Sequence, residues 1–363
     1  MTQALFDAVP ALARTLPLVS LGTWPTPLER VTLGAHEVWI KREDLSDRRA
    51  EGYAGNKIRP LELVLGAARA AGRREIWATG AYGSNHALAS VVHAPRAGLE
   101  SGVILWPQPW SRTAAANLEA TVTLTDHARF VSSVATMPLA GLRALWTRSA
   151  WVMPPGAATP LGALGHASAA LELAAQLDGE GAAVVVLPTG STCTAVGLLV
   201  GTALAYELGA SRRRPRVIGV RVTPWPVTDR RRIARLAVAT ARELQARGGP
   251  LIRESYQGFL GRLTVVGDEL GRGYGVPTVS GWRAIAELAH RGVRLDTTYS
   301  AKAAAWLVRK LDQLALAGPV VFWMTKSALP LQAADAARIE ALPRVVRRWL
   351  EQGRPIANAP AVG

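Results

Sequence analysis

The chain has 363 residues, 49% of them hydrophobic and 19% charged, which supports a large core and exceeds the usual length of one domain. Its 42 basic and 27 acidic residues leave a net charge of +15, but the densest clusters, Arg212 to Arg214 and Arg230 to Arg232, carry no interleaved aromatic residues, so nucleic acid is not the expected partner. A single cysteine, Cys193, excludes an intrachain disulfide, and the opening MTQALFDAVPALARTLP lacks a basic stretch leading into a long apolar one, so a cytoplasmic protein is expected.

In chain order, HEVWIKRED (36–44) reads as a strand leaving into a loop, and RPLELVLGAARAAG (59–72) as a helix stopped by glycine. REIWATG (74–80) is a buried strand, followed by YGSN and the small-residue helix HALASVVHAPRAG. SGVILWP (101–107) is a strand, HASAALELAAQL (166–177) a helix, and AAVVVLP (182–188) a strand that runs through TGST into a helix over 193–208. The run around 183–204 is the most apolar, but Pro188, Thr189, Gly190 and Ser191 interrupt it, so no membrane span is expected. RVIGVRV (216–222) is a strand, the arginine-rich stretch 225–262 reads as helix plus a surface excursion, 279–292 and 300–315 are helices, and PVVFWM (319–324) is a late strand. Repeated strand–loop–helix units predict an α/β protein. Two series of them, near 74–150 and from 182 onward, predict two domains, each a mainly parallel twisted sheet flanked by helices.

Ligands of parallel α/β folds sit beyond the carboxyl ends of the strands, so the residues just after each strand are the candidates for chemistry. Gly80 to His86 follow the first, Gly190, Ser191, Thr192, Cys193 and Thr194 follow Thr189 after the second, and Thr325, Lys326 and Ser327 follow the last. The 190–194 loop opens a helix and offers free N–H groups and hydroxyls to an anion. It matches neither GxxxxGK[ST] nor GxGxxG, so a single small phosphate suits it better than a nucleotide. Lysine is scarce, with Lys41, Lys57, Lys302, Lys310 and Lys326 the whole set, and Lys57 lies among Gly52, Ala54 and Gly55, small enough for something flat to approach the backbone. A buried lysine gives up its proton and suits Schiff-base chemistry where arginine cannot. A lysine with a single-phosphate cradle meets the requirements of pyridoxal phosphate. The histidines His93, His127 and His290 have no metal-ligand spacing, and no metal is expected.

Several motifs then align with one family. TPLERV (26–31), IKREDL (40–45), YAGNKIRPLE (53–62), GSNHALA (83–89), PPGAATPLGALGHASAALELA (154–174), GRGYGVPT (271–278) and LDTTYSAKA (295–303) occur in its order and spacing. The chain resembles the fold-type II pyridoxal-phosphate enzymes (tryptophan synthase β-like), in the branch holding D-cysteine desulfhydrase and 1-aminocyclopropane-1-carboxylate deaminase. The resemblance implies a large cofactor domain of residues 1–58 and 168–363, a small domain of 59–167, pyridoxal 5'-phosphate between them, and a homodimer. It implies that Lys57 attaches the cofactor and moves the substrate's Cα proton, and that Asn85 bonds the cofactor's ring hydroxyl. Gly190, Ser191, Thr192, Cys193 and Thr194 hold its phosphate, and Thr325 meets the ring nitrogen. Ser84 faces the substrate as carboxylate binder or opposite-face catalyst, His86 stands where the desulfhydrase pattern has histidine and with Asn85 also meets the substrate, and Tyr274 and Tyr299 line the substrate pocket, Tyr299 as a catalytic group too.

A hydroxyl at the ring nitrogen leaves it largely neutral, so charge departs better with a β-group than by resting in the ring. This favours α,β-elimination on a small amino acid. The deaminase pattern has glutamate after the tyrosine and this chain has Ser300, so cyclopropane opening is the lesser alternative, beside β-replacement. Three departures from the family pattern stand out. Thr192 and Cys193 replace two glycines, at a cost of about 1 kcal/mol or more each if that loop needs positive φ. Lys326 and Ser327 replace two more, which predicts a cation near the cofactor's edge, and His166 replaces a tyrosine. These changes motivate one further reading, a cofactor-binding protein that has lost turnover.

Overall fold

The computed structural model describes residues 3–47, 53–137, 140–141, 149–315, 318–327 and 329–353. Among the described residues, ten strands form two sheets. They are β1 (Leu28–Leu33), β2 (His36–Arg42), β3 (Glu75–Ala81), β4 (Glu100–Trp106), β5 (His127–Phe130), β6 (Ala150–Met153), β7 (Val184–Thr189), β8 (Arg216–Arg221), β9 (Leu263–Val266) and β10 (Val320–Met324). The six-stranded sheet runs β1-β2-β10-β7-β8-β9 and is parallel except for the β1–β2 hairpin. The four-stranded sheet, β5-β4-β3-β6, is parallel throughout.

The centre of the large sheet follows from composition. Val184, Val185, Val186 and Leu187 are apolar on both faces because helices cover both. One face buries Val185, Leu187 and Trp323 against the helices Pro160–Gln176 and Cys193–Glu207. The other buries Val184, Val186 and Phe322 against the helix Ser300–Ala315. Helices Ile58–Ala70, Asn85–His93 and Arg112–Thr123 pack on the small sheet. Leu342, Val346, Trp349 and Leu350, from the chain's far end, join that same core.

Differences from the expected elements are local. The 36–44 strand ends at Arg42, where Glu43–Leu45 turns as a 3-10 helix. The helix expected to Gly98 ends at His93 and is followed by the 3-10 turn Pro95–Ala97. The 225–262 stretch resolves into helices Arg230–Ala246 and Tyr256–Arg262. Strands β1, β5, β6 and β9 were not expected: three have only four residues, and β1 is an edge strand with its side chains mostly part-exposed or exposed.

Candidate active site

The loops after β3, β7 and β10 converge with the Lys57 loop on one cavity of about 430 Å³. Lys57 stands at the N-cap of the helix Ile58–Ala70. The loop before it is stitched to the end of β10: Asn56 N donates to Thr325 O (2.9 Å), and Gly55 pairs with Lys326 in an antiparallel bridge. Gly55 has φ +102°, and a Cβ there would lie 2.9 Å from Thr325 O, so glycine permits this approach. Ser46 Oγ accepts from Gly55 N at 2.8 Å, and Ser327 Oγ accepts from Ala54 N at 3.1 Å. These bonds bring Thr325 and Lys57 to the wall of one space. Burial lowers the Lys57 pKa below its ordinary value, the Cys193 thiol opposing weakly.

Ser84 caps the helix Asn85–His93, its Oγ accepting from Ala87 N at 3.2 Å. Asn85 Oδ1 accepts from Tyr53 OH at 2.9 Å and Asn117 Nδ2 at 2.7 Å, so its own amide N–H₂ is left to donate into the cavity. Next to it, His86 is buried with neither ring nitrogen hydrogen-bonded. Desolvation, reinforced by the Lys57 charge, pushes its pKa down to about 3, so the imidazole is neutral at neutral pH.

The β7 loop brings Gly190, Ser191, Thr192 and Thr194 to the cavity. Thr192 precedes the helix Cys193–Glu207 with φ +78° and ψ −20°, and its buried Oγ1 has no partner. The expected strain therefore falls on Thr192 alone. Cys193 is already helical, and its thiol turns away from the cavity to Ala157 O at 3.3 Å. Burial raises that thiol's pKa to about 11, the nearby Lys57 opposing. Thr194 Oγ1 accepts from Asn56 Nδ2 at 2.8 Å and lies 3.3 Å from His166 Nε2. Its hydroxyl is thereby held between Asn56 and His166, and its backbone N–H at the helix start stays available to a ligand. His166, which replaces the family tyrosine, takes this supporting place outside the cavity.

Across the cavity, Tyr274 and Tyr299 meet edge to face with their hydroxyls 2.5 Å apart. Burial raises both phenol pKa values, with Asp296 adding to each. Two neutral phenols in contact leave one proton to offer to a ligand. Asp296 accepts from the backbone N–H groups of Thr298, Tyr299 and Ser300 and so fixes the tyrosine. The fully buried Lys302 donates to Leu270 O (2.8 Å) and Gly273 O (3.1 Å), holding the loop that carries Tyr274. Burial lowers its pKa to about 8.

One expectation is corrected here. Lys326 is not among the described residues that line the cavity: its backbone pairs with Gly55 in the bridge, and Ser327 Oγ ties the lysine loop. Sequence reasoning also passed over Gln108, whose Oε1 accepts from Gly83 N at 2.9 Å, and Thr223, whose Oγ1 lies 2.6 Å from Thr228 Oγ1. Each is the second residue after a strand end, of β4 and of β8, so the same strand-end rule finds them. Among the described residues no group of three His, Cys, Asp or Glu side chains could hold a metal, and no helix is long and apolar enough to cross a membrane.

A helix N-terminus with a buried, unpartnered hydroxyl, an amide donor, and a desolvated lysine amine with no carboxylate acting on it share this one cavity. That donor set fits a cofactor with one phosphate, a ring hydroxyl and a carbonyl carbon, and so defines a pyridoxal-phosphate enzyme. Residues 19–326 match the family described as pyridoxal-phosphate dependent enzyme. The chain belongs to that family, in fold type II, and its cofactor is pyridoxal 5'-phosphate. It is 33% identical over 332 residues to the nocardicin C-9' epimerase of Nocardia uniformis subsp. tsuyamanensis, covering 86% of this chain and 93% of that protein. The crystal structure of an ACC deaminase homologue superposes with TM-score 0.72 at 26% identity, covering 91% of this chain and 96% of the other. Threonine deaminase isoform 2 from Solanum lycopersicum, at 14% identity and TM-score 0.58 over 94% of this chain and 87% of the other, shares the fold.

Proposed function

We propose that this enzyme acts at the Cα of an amino acid, with Lys57 as the proton carrier and α,β-elimination as the outcome. The observation that carries the reading is the Lys57 amine, desolvated, free of carboxylate partners, and facing the same cavity as the tyrosine pair. Pyridoxal phosphate, when bound, supplies the electron sink that makes a Cα–H bond acidic. Ser191, the Thr192 hydroxyl and the N–H groups opening the helix Cys193–Glu207 would bind its phosphate, the Asn85 amide would donate to its ring hydroxyl, and Thr325 would meet its ring nitrogen. The lowered pKa leaves Lys57 a larger fraction of free amine near neutrality, the form able to accept a proton. In elimination the Cα proton passes to Lys57 and the β-substituent departs, leaving a keto acid and ammonia after hydrolysis. Ser84 and the tyrosine hydroxyls orient the carboxylate.

The 33% identity to an epimerase supports a second reading. Epimerisation needs a second proton carrier on the opposite face of Cα, and Ser84 and the Tyr274–Tyr299 pair are the hydroxyls of this cavity that would serve. With either reading go the two-domain division at 1–58 with 168–363 and 59–167, a homodimer, and a cytoplasmic place of action. Cofactor-loaded protein, incubated with D- and L-amino acids in heavy water, tests both. Keto acid and ammonia indicate elimination, whereas Cα deuterium with inversion and no ammonia indicates epimerisation. No exchange by the loaded wild type with any amino acid overturns both. Lys57→Ala is expected to lose exchange altogether.

A further inference from the structure

We infer that the substrate is an amino acid whose side chain ends in an uncharged aromatic or similarly apolar group. The inference rests on the reading of the site as one for amino-acid Cα chemistry, and it departs from the small substrate that the motifs imply. Among the described residues lining the cavity, Lys57 is the sole formally charged one, in a chain of net charge +15. His86 adds no charge, being neutral. A substrate side chain bearing a carboxylate, ammonium or guanidinium would lose water without meeting a counter-charge.

The buried polar groups Asn85, Thr192 and Thr325 belong to the cofactor end. Towards solvent, apolar side chains join the uncharged Gln108, Ser132, Ser133 and Thr223 in the wall. Pro107 and Val134 come from the small-sheet side, and Pro224 and Val227 from the loop after β8, all four exposed. Val134 is 54% exposed and Val227 36%, and Trp225, next in the chain to Pro224, is 72% exposed. Gln108, the amide in this region, already uses its Oε1 on Gly83 N. Large apolar side chains gathered at a cavity mouth and left in water mark a surface that a ligand covers. The rim draws on both sides of the cavity, so a group leaving Cα towards solvent passes between two uncharged walls that each carry apolar side chains.

The test uses cofactor-loaded wild-type protein with both enantiomers of alanine, serine, glutamate, lysine, phenylalanine, tyrosine and O-benzylserine. Half-saturating concentrations are read from the shift of the cofactor's absorption band and from Cα hydrogen–deuterium exchange. Burying an aromatic side chain predicts half-saturation at least about ten-fold lower for the aromatic members than for alanine or serine, with the charged members weakest. Val134→Asp and Val227→Asp are expected to raise the half-saturating concentration of the aromatic substrates about ten-fold more than that of alanine. Saturation by alanine or serine at equal or lower concentration, or equal losses for both classes in the variants, overturns the inference and leaves the proposed function standing. No exchange with any member, the cofactor band being present, removes the proposed function and this inference together.

Discussion

Thr192 holds two unfavourable features at one position. A β-branched residue at φ +78° costs about 1–2 kcal/mol relative to the right-handed region, and a buried hydroxyl without a partner costs about 1–3 kcal/mol more. Neither is needed for a stable helix start, since glycine would adopt the turn freely. A phosphate oxygen at the loop would satisfy the hydroxyl and recover part of that cost. Thr192→Gly is therefore expected to move two quantities in opposite directions. The cofactor-free protein gains about 1 kcal/mol, after allowing about 0.5–1 kcal/mol for the extra freedom of glycine in the unfolded chain. The affinity for pyridoxal phosphate falls several-fold. Urea midpoints without cofactor and an absorbance titration with it check the pair, and a stability loss without cofactor would refute the strain argument. The lysine, the serine–asparagine–histidine turn and the phosphate loop were legible as letters because small and hydroxylated residues cluster after strands. Orientation was not legible. Cys193 directly follows that loop, yet its thiol turns inward to Ala157 O, and the Thr194 hydroxyl is held between Asn56 and His166.

Among elements, the helix that Lys57 opens is anchored by charge. Arg59 is fully buried, with Nε 2.6 Å from Glu43 Oε2 and Nη2 3.0 Å from Glu172 Oε2, and its guanidinium lies 3.8 Å from the centre of the Trp24 ring. Lys41 of β2 pairs with the same Glu172. One cluster thus fixes β2, the helix Ile58–Ala70 and the helix Pro160–Gln176 together, two residues beyond Lys57. Gly165 completes the joint, since any Cβ there would fall on the Arg59 carbonyl. Removing the guanidinium strands the buried carboxylate of Glu43 and leaves Glu172 to Lys41, so Arg59→Met is expected to cost about 3–5 kcal/mol and to weaken cofactor retention along with it. Denaturant unfolding of wild type and variant measures the first, and cofactor absorbance after gel filtration the second. A cost below about 1 kcal/mol would show the cluster is no anchor. The helices and buried strands around it were readable because parallel strands covered on both faces leave continuous apolar runs. Strands β5, β6 and β9 were not, because four residues of mixed exposure carry too short a pattern. The ion cluster was hidden because its members are far apart in sequence.

For the molecule as a whole, the cavity's walls belong to both sheets. Ser84 and Asn85 follow β3 of the small sheet, while Gly190 to Thr194 and Thr325 follow β7 and β10 of the large one. Tyr53, which bonds Asn85, precedes Lys57 in a loop stitched to β10. A ligand gripping only one sheet would stabilise that sheet's loops. A ligand gripping both would tie the halves together, since whatever binds the folded state alone raises its stability, by about 2.7 kcal/mol at a hundred-fold excess over Kd. Hydrogen–deuterium exchange separates these cases. Loading with pyridoxal phosphate is expected to slow amide exchange at Asn85–Leu88, at Ser191–Ala195 and at Thr325–Lys326 together. The same three segments should remain unprotected with inorganic phosphate, except Ser191–Ala195, because phosphate alone meets only the helix N-terminus. Protection by the full cofactor confined to Ser191–Ala195 would mean that the ring does not reach the small sheet. Asn85 would then lose its assigned contact, and the polarity of the cavity, cofactor at the buried end and side chain at the apolar rim, would have to be reversed.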